Sequence, residues 1–329
     1  MGETREQPIR IQAIINPISG IGSKRKVPLL LETAFKKEEG YLLSIAFTQY
    51  AGHASLLTVE ALKEGAKYIL AVGGDGTVNE VASAMLYSEA TLGIIPKGSG
   101  NGLARELRLP LDAKRAVDII AEGFEQPIDA CEANGSVFFT TCGVGFDAVV
   151  SRKFATEKRR GSLSYVKSAI EEYLAYKPEV YALSIGEQCF REEAFLVACA
   201  NASQYGYNAY IAPHASLTDG LMDITVLTPF TPLDVPQIAL QLFTRTIDKN
   251  SRIRTFQTER LTIDRQKPGV MHLDGTPIET GEHIEIHILP KALKVLVPKN
   301  PSPRQDARTL FGQVTGFFEK GRPYWPRSK

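Results

Sequence analysis

The sequence is poor in several things, and each shortage closes off a class of protein. Only four cysteines occur in 329 residues, Cys131, Cys142, Cys189 and Cys199, each in an apolar, strand-like stretch. None belongs to a C-x-x-C pair, so the pattern predicts buried free thiols in a reducing compartment rather than disulfides or zinc. No apolar run approaches ~18 residues, so no segment is expected to span a membrane. The opening MGETREQPIRIQ is polar and lacks the apolar core of a signal peptide, which makes a cytoplasmic protein the expectation. Charge is nearly balanced, at +1, which offers no electrostatic case for nucleic acid. Internal repeats and low-complexity tracts are missing as well. What remains is an ordinary globular composition, long enough to bury a sizeable core and most simply divided into two domains.

The most informative stretch is Ile69–Ala82, ILAVGGDGTVNEVA. Tyr68–Val72 reads as a buried strand that stops at Gly73-Gly74-Asp75-Gly76. A helical pattern begins near Thr77, with Val78, Val81, Ala82 and Met85 on one face. The glycines let the backbone turn sharply and approach a ligand, and Thr77 or Asp75 is expected to cap the helix, whose free N–H groups suit an anion. An acid in such a turn would repel bare phosphate. Asp75 therefore points to a metal-bridged nucleotide or a proton acceptor.

The strand Arg10–Asn16 comes first and ends at NPISGIGSK, where Asn16, Pro17, Ser19, Gly20, Gly22 and Ser23 make a second phosphate-type turn. Lys24, Arg25 and Lys26 read as a solvated helix face. Val27–Glu39 is amphipathic helix, Leu42–Thr48 strand, and His53–Gly65 helix closed by Gly65. His53 reads as a capping or packing histidine. Strand Leu92–Ile95 leads into PKGSGNGLAR, where Gly98, Ser99, Gly100, Asn101 and Gly102 form a third such loop before a short helix, Leu103–Leu109. Lys97 and Arg105 read as solvated side chains within reach of phosphate. Asp112–Gly123 is a further helix. Alternating strands and helices predict a doubly wound α/β domain over residues 1–125, with ligand loops at the C-terminal strand ends.

From residue 126 short strand-like runs dominate: Ser136–Thr141, Val180–Ile185, Glu193–Ala200, Leu221–Leu227, Arg260–Asp264, Val270–Leu273, His283–Ile288 and Ala292–Val297. Arg160–Tyr176 and Leu233–Thr244 read as helices. This pattern predicts a β-sandwich-like second domain over 126–300, followed by a tail, 301–329, that docks back on the body.

GGDGTVNE followed by PKGSGNGLAR resembles the diacylglycerol kinase catalytic family, which includes bacterial diacylglycerol kinases and sphingosine kinases. NPISG, Thr48 with GHA, and the Asp219-Gly220 and Asp274-Gly275 turns extend the resemblance through most of the chain. It implies a lipid kinase that binds ATP between the two domains, with Asn16, Thr48, Gly73, Gly74, Asp75, Gly76, Thr77, Asn79, Glu80, Gly98, Ser99 and Asn101 at the nucleotide. It further implies magnesium held by Asp219 with backbone carbonyls of Ser216 and Leu221, an oxygen-only set that suits a hard cation. Asp274 matches the family's proposed base, with Asp75 facing it. Many relatives carry Glu two residues after that base, where this chain has Thr276. The SGNGLA loop is similar to that of sphingosine kinases, yet FTTCGVGFDAVVS keeps Asp147 and places Val149 where their amine-binding acid would stand. The acceptor, diacylglycerol or a sphingoid base, therefore stays open, as does a homodimer. The implied partner is a lipid at the inner membrane face, reached peripherally. An NAD kinase-like enzyme, sharing GGDG, and a nucleotide- or lipid-binding regulator without turnover are the alternatives.

Overall fold

Alternation of buried strands and amphipathic helices builds the first half of the molecule. The structure is a computed structural model and describes residues 8–19, 26–156, 172–173 and 175–301. Gly20, Gly22, Ser23, Lys24 and Arg25, most of the Arg160–Tyr176 helix, and the tail beyond Pro301 lie outside those residues.

Strands β1 (Ile9–Ile15), β2 (Tyr41–Phe47), β3 (Tyr68–Gly73) and β4 (Thr91–Pro96) pair in parallel in the order β2-β1-β3-β4. Parallel pairing needs crossovers that cover both faces. Helices α1 (Val27–Ala34) and α5 (Ala113–Glu122) cover one face, where Leu31, Val117 and Ile120 meet Ile11, Ile15 and Val72. Helices α2 (His53–Lys63) and α3 (Asp75–Ala84) cover the other, placing Ala61, Val81, Ala82 and Met85 against Ile14, Ile69 and Ala71. Each fully buried aliphatic side chain contributes about 1.5–3 kcal/mol. Helix α4 (Gly102–Glu106) is a short turn after β4.

The second half is antiparallel. Strands β7 (Thr141–Gly145), β10 (Leu196–Ala200), β11 (Met222–Leu227), β12 (Ile253–Thr258), β14 (Gly269–Leu273) and β15 (Thr276–Thr280) form one sheet in the order β12-β11-β10-β7-β14-β15. Its inner face meets β5 (Phe124–Ala133), β6 (Ser136–Phe138), β8 (Glu179–Ile185), β13 (Arg260–Arg265) and β16 (His283–Val297) through Phe138, Val144, Leu183, Val197, Ile224 and Ile286. Strand β9 (Gln188–Ala194) forms the outer edge beside β8. Helix α6 (Phe146–Thr156) follows β7, and α7 (Val235–Thr244) follows β11. The mixed α/β architecture and sandwich-like second half agree with the expectation. One strand belongs to both halves: β16 pairs with β13 and β5 in the sandwich, then runs parallel to β4 at Lys294 and Val295.

Several local expectations are corrected. Helix α1 stops at Ala34, with only a 3-10 turn at Lys37–Glu39, because Phe35 turns inward to meet Tyr41 at 5.3 Å between ring centroids. Helix α3 starts at Asp75 behind Gly74, so neither Asp75 nor Thr77 caps it. The short helix α4 runs from Gly102 and ends at Glu106, and Arg108 then adopts φ +57°. Ser136–Thr141 is no single strand, since Phe139 and Thr140 give their N–H groups to a carboxylate instead (below). Glu193–Ala200 divides at Phe195 between two sheets, whereas His283–Ile288 and Ala292–Val297 fuse into β16 across an irregularity at Leu289–Leu293, where Lys291 takes φ +50°. Strands β5, β9, β12 and β15 were not predicted. Three cysteines are buried as expected, but Cys189 faces outward.

Candidate active site

Four polar residues of GGDGTVNE each tie α3 to a different neighbour. Asp75, in its first turn, accepts from the N–H of Asn101 at 2.8 Å and of Gly102 at 2.7 Å, gripping the loop after β4. Thr77 Oγ1 accepts from Asn16 Nδ2 at 3.0 Å, drawing in the end of β1. Asn79 Nδ2 donates to Asp274 Oδ2 at 3.0 Å and to the Val137 carbonyl at 3.2 Å, reaching the sandwich. Glu80 accepts from Gly52 N at 2.9 Å and Ala54 N at 3.1 Å, anchoring the start of α2. A carboxylate at a helix N-terminus satisfies orphan donors and meets the positive end of the dipole.

The glycine loops touch one another. A Cβ on Gly98 would lie 2.5 Å from Gly74 Cα, so the turns after β3 and β4 pass at a distance only glycine allows. Asn101, in the left-handed region at φ +52°, closes its own loop: its side chain accepts from Gly98 N and donates to Gly98 O, each at 2.9 Å. Arg105 Nε donates to Gly100 O at 2.8 Å, so its guanidinium serves the loop and is not a solvated side chain. Lys97 is half-buried, and its backbone N–H bonds Gly73 O at 2.7 Å.

The residues expected at the nucleotide thus gather around the C-terminal ends of β1, β3 and β4, with Thr48 just beyond β2. Many act on the protein: the side chains of Asn16, Asp75, Asn79, Glu80 and Asn101 all hold backbone or neighbouring side chains. The first-turn N–H groups of α3, at Gly76 and Thr77, have no carbonyl partner within the helix, the arrangement that suits an anion.

Asp274 comes from the β14–β15 hairpin, whose two-residue Asp274-Gly275 turn has both φ angles positive, at +48° and +79°. Its Oδ1 accepts from Thr140 N at 2.7 Å, Thr140 Oγ1 at 2.6 Å and Thr141 N at 3.2 Å; Oδ2 accepts from Phe139 N and Asn79 Nδ2, each at 3.0 Å. A carboxylate offers about four lone-pair sites, so Asp274 is saturated. Asp75 differs, with one bond on each oxygen. It keeps some exposed surface, yet lost hydration pushes its pKa above the ordinary value of 3.8; the N–H groups of Gly102 and Asn101 oppose this, and the Asp274 charge adds to it. The two acids therefore sense each other across the junction.

Behind Asp274 stands a buried network that sequence patterns did not single out. His272, 1% exposed, presents Nε2 to Asp147 Oδ2 at 3.2 Å, and its Nδ1 accepts from Gly275 N at 3.4 Å. Tyr205 donates to the same Asp147 oxygen at 2.9 Å. A Cβ on Gly102 would lie 3.6 Å from Tyr205 O, so the network spans from the loop after β4 to the Asp274 turn. Asp147 was marked only as a motif position, and nothing in spacing links residues 147, 205 and 272.

The expected magnesium loop is tied to the Asp274 cradle through Asn201, whose Nδ2 donates to Asp129 O and Phe139 O, each at 2.9 Å. Asp219 is exposed and its Oδ1 accepts from Leu221 N at 3.1 Å. Asp129, 1% exposed, shapes the loop: its Oδ2 accepts from Gly220 N at 2.8 Å and its Oδ1 from Lys291 N at 2.7 Å. One exposed carboxylate with the Ser216 and Leu221 carbonyls fits a hard, partly hydrated cation in donor chemistry. Among the described residues no group of three or more His, Cys, Asp or Glu side chains is poised for a metal.

Residues 10–133 match the family described as Diacylglycerol kinase catalytic domain, and residues 140–297 the one described as YegS C-terminal NAD kinase beta sandwich-like domain. A protein of Shewanella frigidimarina named "Probable lipid kinase YegS-like" is 26% identical over 271 residues, covering 80% of this chain and 87% of the relative. A Synechocystis protein described as uncharacterized is 29% identical over 305 residues, 87% of this chain and 69% of its own length. A solved diacylglycerol kinase from Bacillus anthracis, 20% identical, superposes with TM-score 0.68 over 91% of this chain and 100% of that one. At that identity it shows a common fold.

Proposed function

We propose, from the membership of residues 10–133 in the diacylglycerol kinase catalytic domain family, the YegS-type sandwich over residues 140–297 and relatives named probable YegS-like lipid kinases, that this protein phosphorylates a lipid hydroxyl with magnesium-bound ATP. The observation that carries this reading is the Asn79–Asp274 bond, which joins the glycine loops of the α/β half to the acid of the sandwich half at 3.0 Å. The N–H groups at the start of α3 and the Ser99 hydroxyl hold phosphate oxygens. Asp219 with the Ser216 and Leu221 carbonyls would hold a structural magnesium, and a magnesium at the nucleotide would supply charge neutralisation on the phosphates.

Phosphoryl transfer needs the acceptor hydroxyl positioned and its proton removed as the new P–O bond forms and the bond to the ADP oxygen breaks. Asp75 retains open lone pairs and a raised pKa, the profile of a proton acceptor. Asp274, held by its five donors, positions Asn79 and the hairpin. Asp75→Asn and Asp274→Asn should each lower kcat by at least ~10²-fold. Wild-type turnover in a folded variant removes that residue from the mechanism.

The test of the activity is a panel of diacylglycerols, monoacylglycerols and sphingoid bases with labelled ATP and magnesium, read by chromatography of the products. Transfer to none of them overturns the proposal. The saturation of Asp274, with exposed Thr276 two residues on, favours a second reading: a nucleotide- and lipid-binding regulator with little turnover. That reading predicts binding without transfer, and a measured turnover rules it out. The sandwich's likeness to an NAD kinase domain keeps a soluble dinucleotide in the assay as a further acceptor.

A further inference from the structure

Helix α7 is apolar and packs little of itself. Its sequence, VPQIALQLFT, carries no charge, yet none of its residues is buried. At roughly 100° per residue, Ile238 and Leu242 fall on one edge, while Val235, Ala239, Phe243, Pro236 and Leu240 continue the apolar arc outward, leaving Gln237, Gln241 and Thr244 as a narrow polar stripe. That edge meets the body: Ile238 and Leu242 lie against the cluster of Phe195, Phe230 and Tyr205, Gln241 beside them accepts from Asn250 Nδ2 at 2.6 Å, and Phe243 is half-buried at the helix end. The outer part stays open, with Leu240 42% exposed and Val235 38%, and the preceding Leu233 is 90% exposed.

Charge around the helix is arranged to one pattern. Between Pro229 and Thr244 the single charged residue is Asp234, whose Oδ2 accepts from the Thr231 N–H and hydroxyl at 2.9 and 3.0 Å; these bonds and then Arg252 hold its pKa below the ordinary value, so it keeps a negative charge that Arg252 balances. Just past the helix end come Arg245, Lys249 and Arg252, of which Lys249 and Arg252 are exposed. The nearest acid there, Asp248, faces His214 at 3.4 Å. A broad apolar arc followed by basic side chains is the make-up of a helix lying in the interfacial layer of an anionic bilayer.

The helix is also close to the candidate site. Leu242 O accepts from Tyr210 N at 2.8 Å, and Arg245 donates to Pro213 O at 2.7 Å, so α7 sits on the segment 205–213. The other side of that segment meets the glycine loop: a Cβ on Gly206 would lie 3.5 Å from Gly100 Cα. One layer of chain separates the open apolar face from the loop expected at the nucleotide.

We propose that the outer face of α7, with Leu233 before it and Lys249 and Arg252 after it, docks on an anionic lipid bilayer and sets the cleft facing the lipid layer. The proposal rests on the lipid-kinase reading for its purpose, not for its test. The full chain is co-sedimented with phosphatidylcholine vesicles containing phosphatidylserine, and with phosphatidylcholine alone. Wild type should bind the mixed vesicles, more weakly at high salt. Leu233→Asp with Leu240→Asp should lower that binding at least roughly tenfold, since two exposed leucines lose their apolar partner. Lys249→Glu with Arg252→Glu should lower it by a similar factor on anionic vesicles alone. All these positions are exposed, so the variants should fold and keep their turnover on a water-soluble short-chain diacylglycerol. Binding by the leucine variant equal to wild type overturns the proposal, as does absence of vesicle binding by wild type. So does a wild-type dimer that the same variant converts to monomer with no change in vesicle binding, which would make the face a contact between copies. If vesicles bind as expected but no lipid is phosphorylated, the kinase reading fails while the docking surface stands.

Discussion

At the scale of single residues, the two acids that sequence motifs marked out have different surroundings, and those of Asp75 carry a pH response. Protonation of Asp75 removes acceptors from the Asn101 and Gly102 N–H groups and a base from the cleft. Because its pKa is raised above 3.8, first by lost hydration, kcat/KM should fall on acidification through an apparent pKa above the ordinary carboxylate value. That limb should be missing from the residual activity of Asp75→Asn, and its persistence there would assign the limb to another group. Stability responds with the opposite sign. The folded protein holds this proton more tightly than the unfolded chain, so the stability Asp75 contributes is present at low pH and lost as pH rises through the folded value. Asp75 and Asp274 were legible because each sits in a glycine turn with a recognisable spacing. Asp129, Asp147, Tyr205 and His272 were not, because their partners lie far along the chain and an isolated acid or histidine in an apolar run carries no period to read.

At the scale of elements, the motif's glycines do two jobs that sequence alone could not tell apart. The turns after β1, β3 and β4 were readable from glycine and asparagine placement, but the contact between two of them was not, since it depends on how β3 and β4 align in the sheet. Gly98 serves that contact, whereas a Cβ on Gly76 would meet nothing within 4 Å and Gly76 has no positive φ. Gly98→Ala should therefore push the loops apart, costing about 1–3 kcal/mol of stability and weakening ATP binding by at least roughly tenfold. Gly76→Ala should leave the melting temperature within error and still weaken ATP, because the added methyl stands where phosphate approaches the α3 N-terminus. Calorimetry with nucleotide titration checks both, and wild-type affinity in Gly76→Ala would move the phosphates elsewhere. The same logic explains the missed strand break at residues 139–140. Phe139 and Thr140 have the apolar, β-branched look of a continuing strand, but a carboxylate 135 residues later in the chain takes their N–H groups. Alternation reports which faces are buried and says nothing about a distant competitor for the backbone.

At the scale of the whole molecule, the chain's last described strand decides whether the two halves can behave independently. The composition shift near residue 126 suggests a border, yet β16 carries residues of both cores: Ile286, fully buried, belongs to the sandwich interior, while Leu293, 2% exposed, belongs to the interior that α2 and α3 cover. Asp129 bonds the Lys291 N–H at the irregularity between them, and Asn79 crosses the same junction to Asp274. Unfolding one half would tear β16 from partners in the other, so the halves should melt together. Ile286→Ala and Leu293→Ala should each cost about 2–5 kcal/mol and lower one shared transition, seen alike by calorimetry and far-ultraviolet circular dichroism. Two transitions, with each variant moving only its own, would show the halves to be independent. A shared strand constrains the chemistry less directly: β16 runs within the sheet that continues from β4, whereas the Asp274 hairpin belongs to the facing sheet and reaches α3 through the Asn79–Asp274 bond, so that bond rather than strand pairing carries the approach of Asp274 to Asp75.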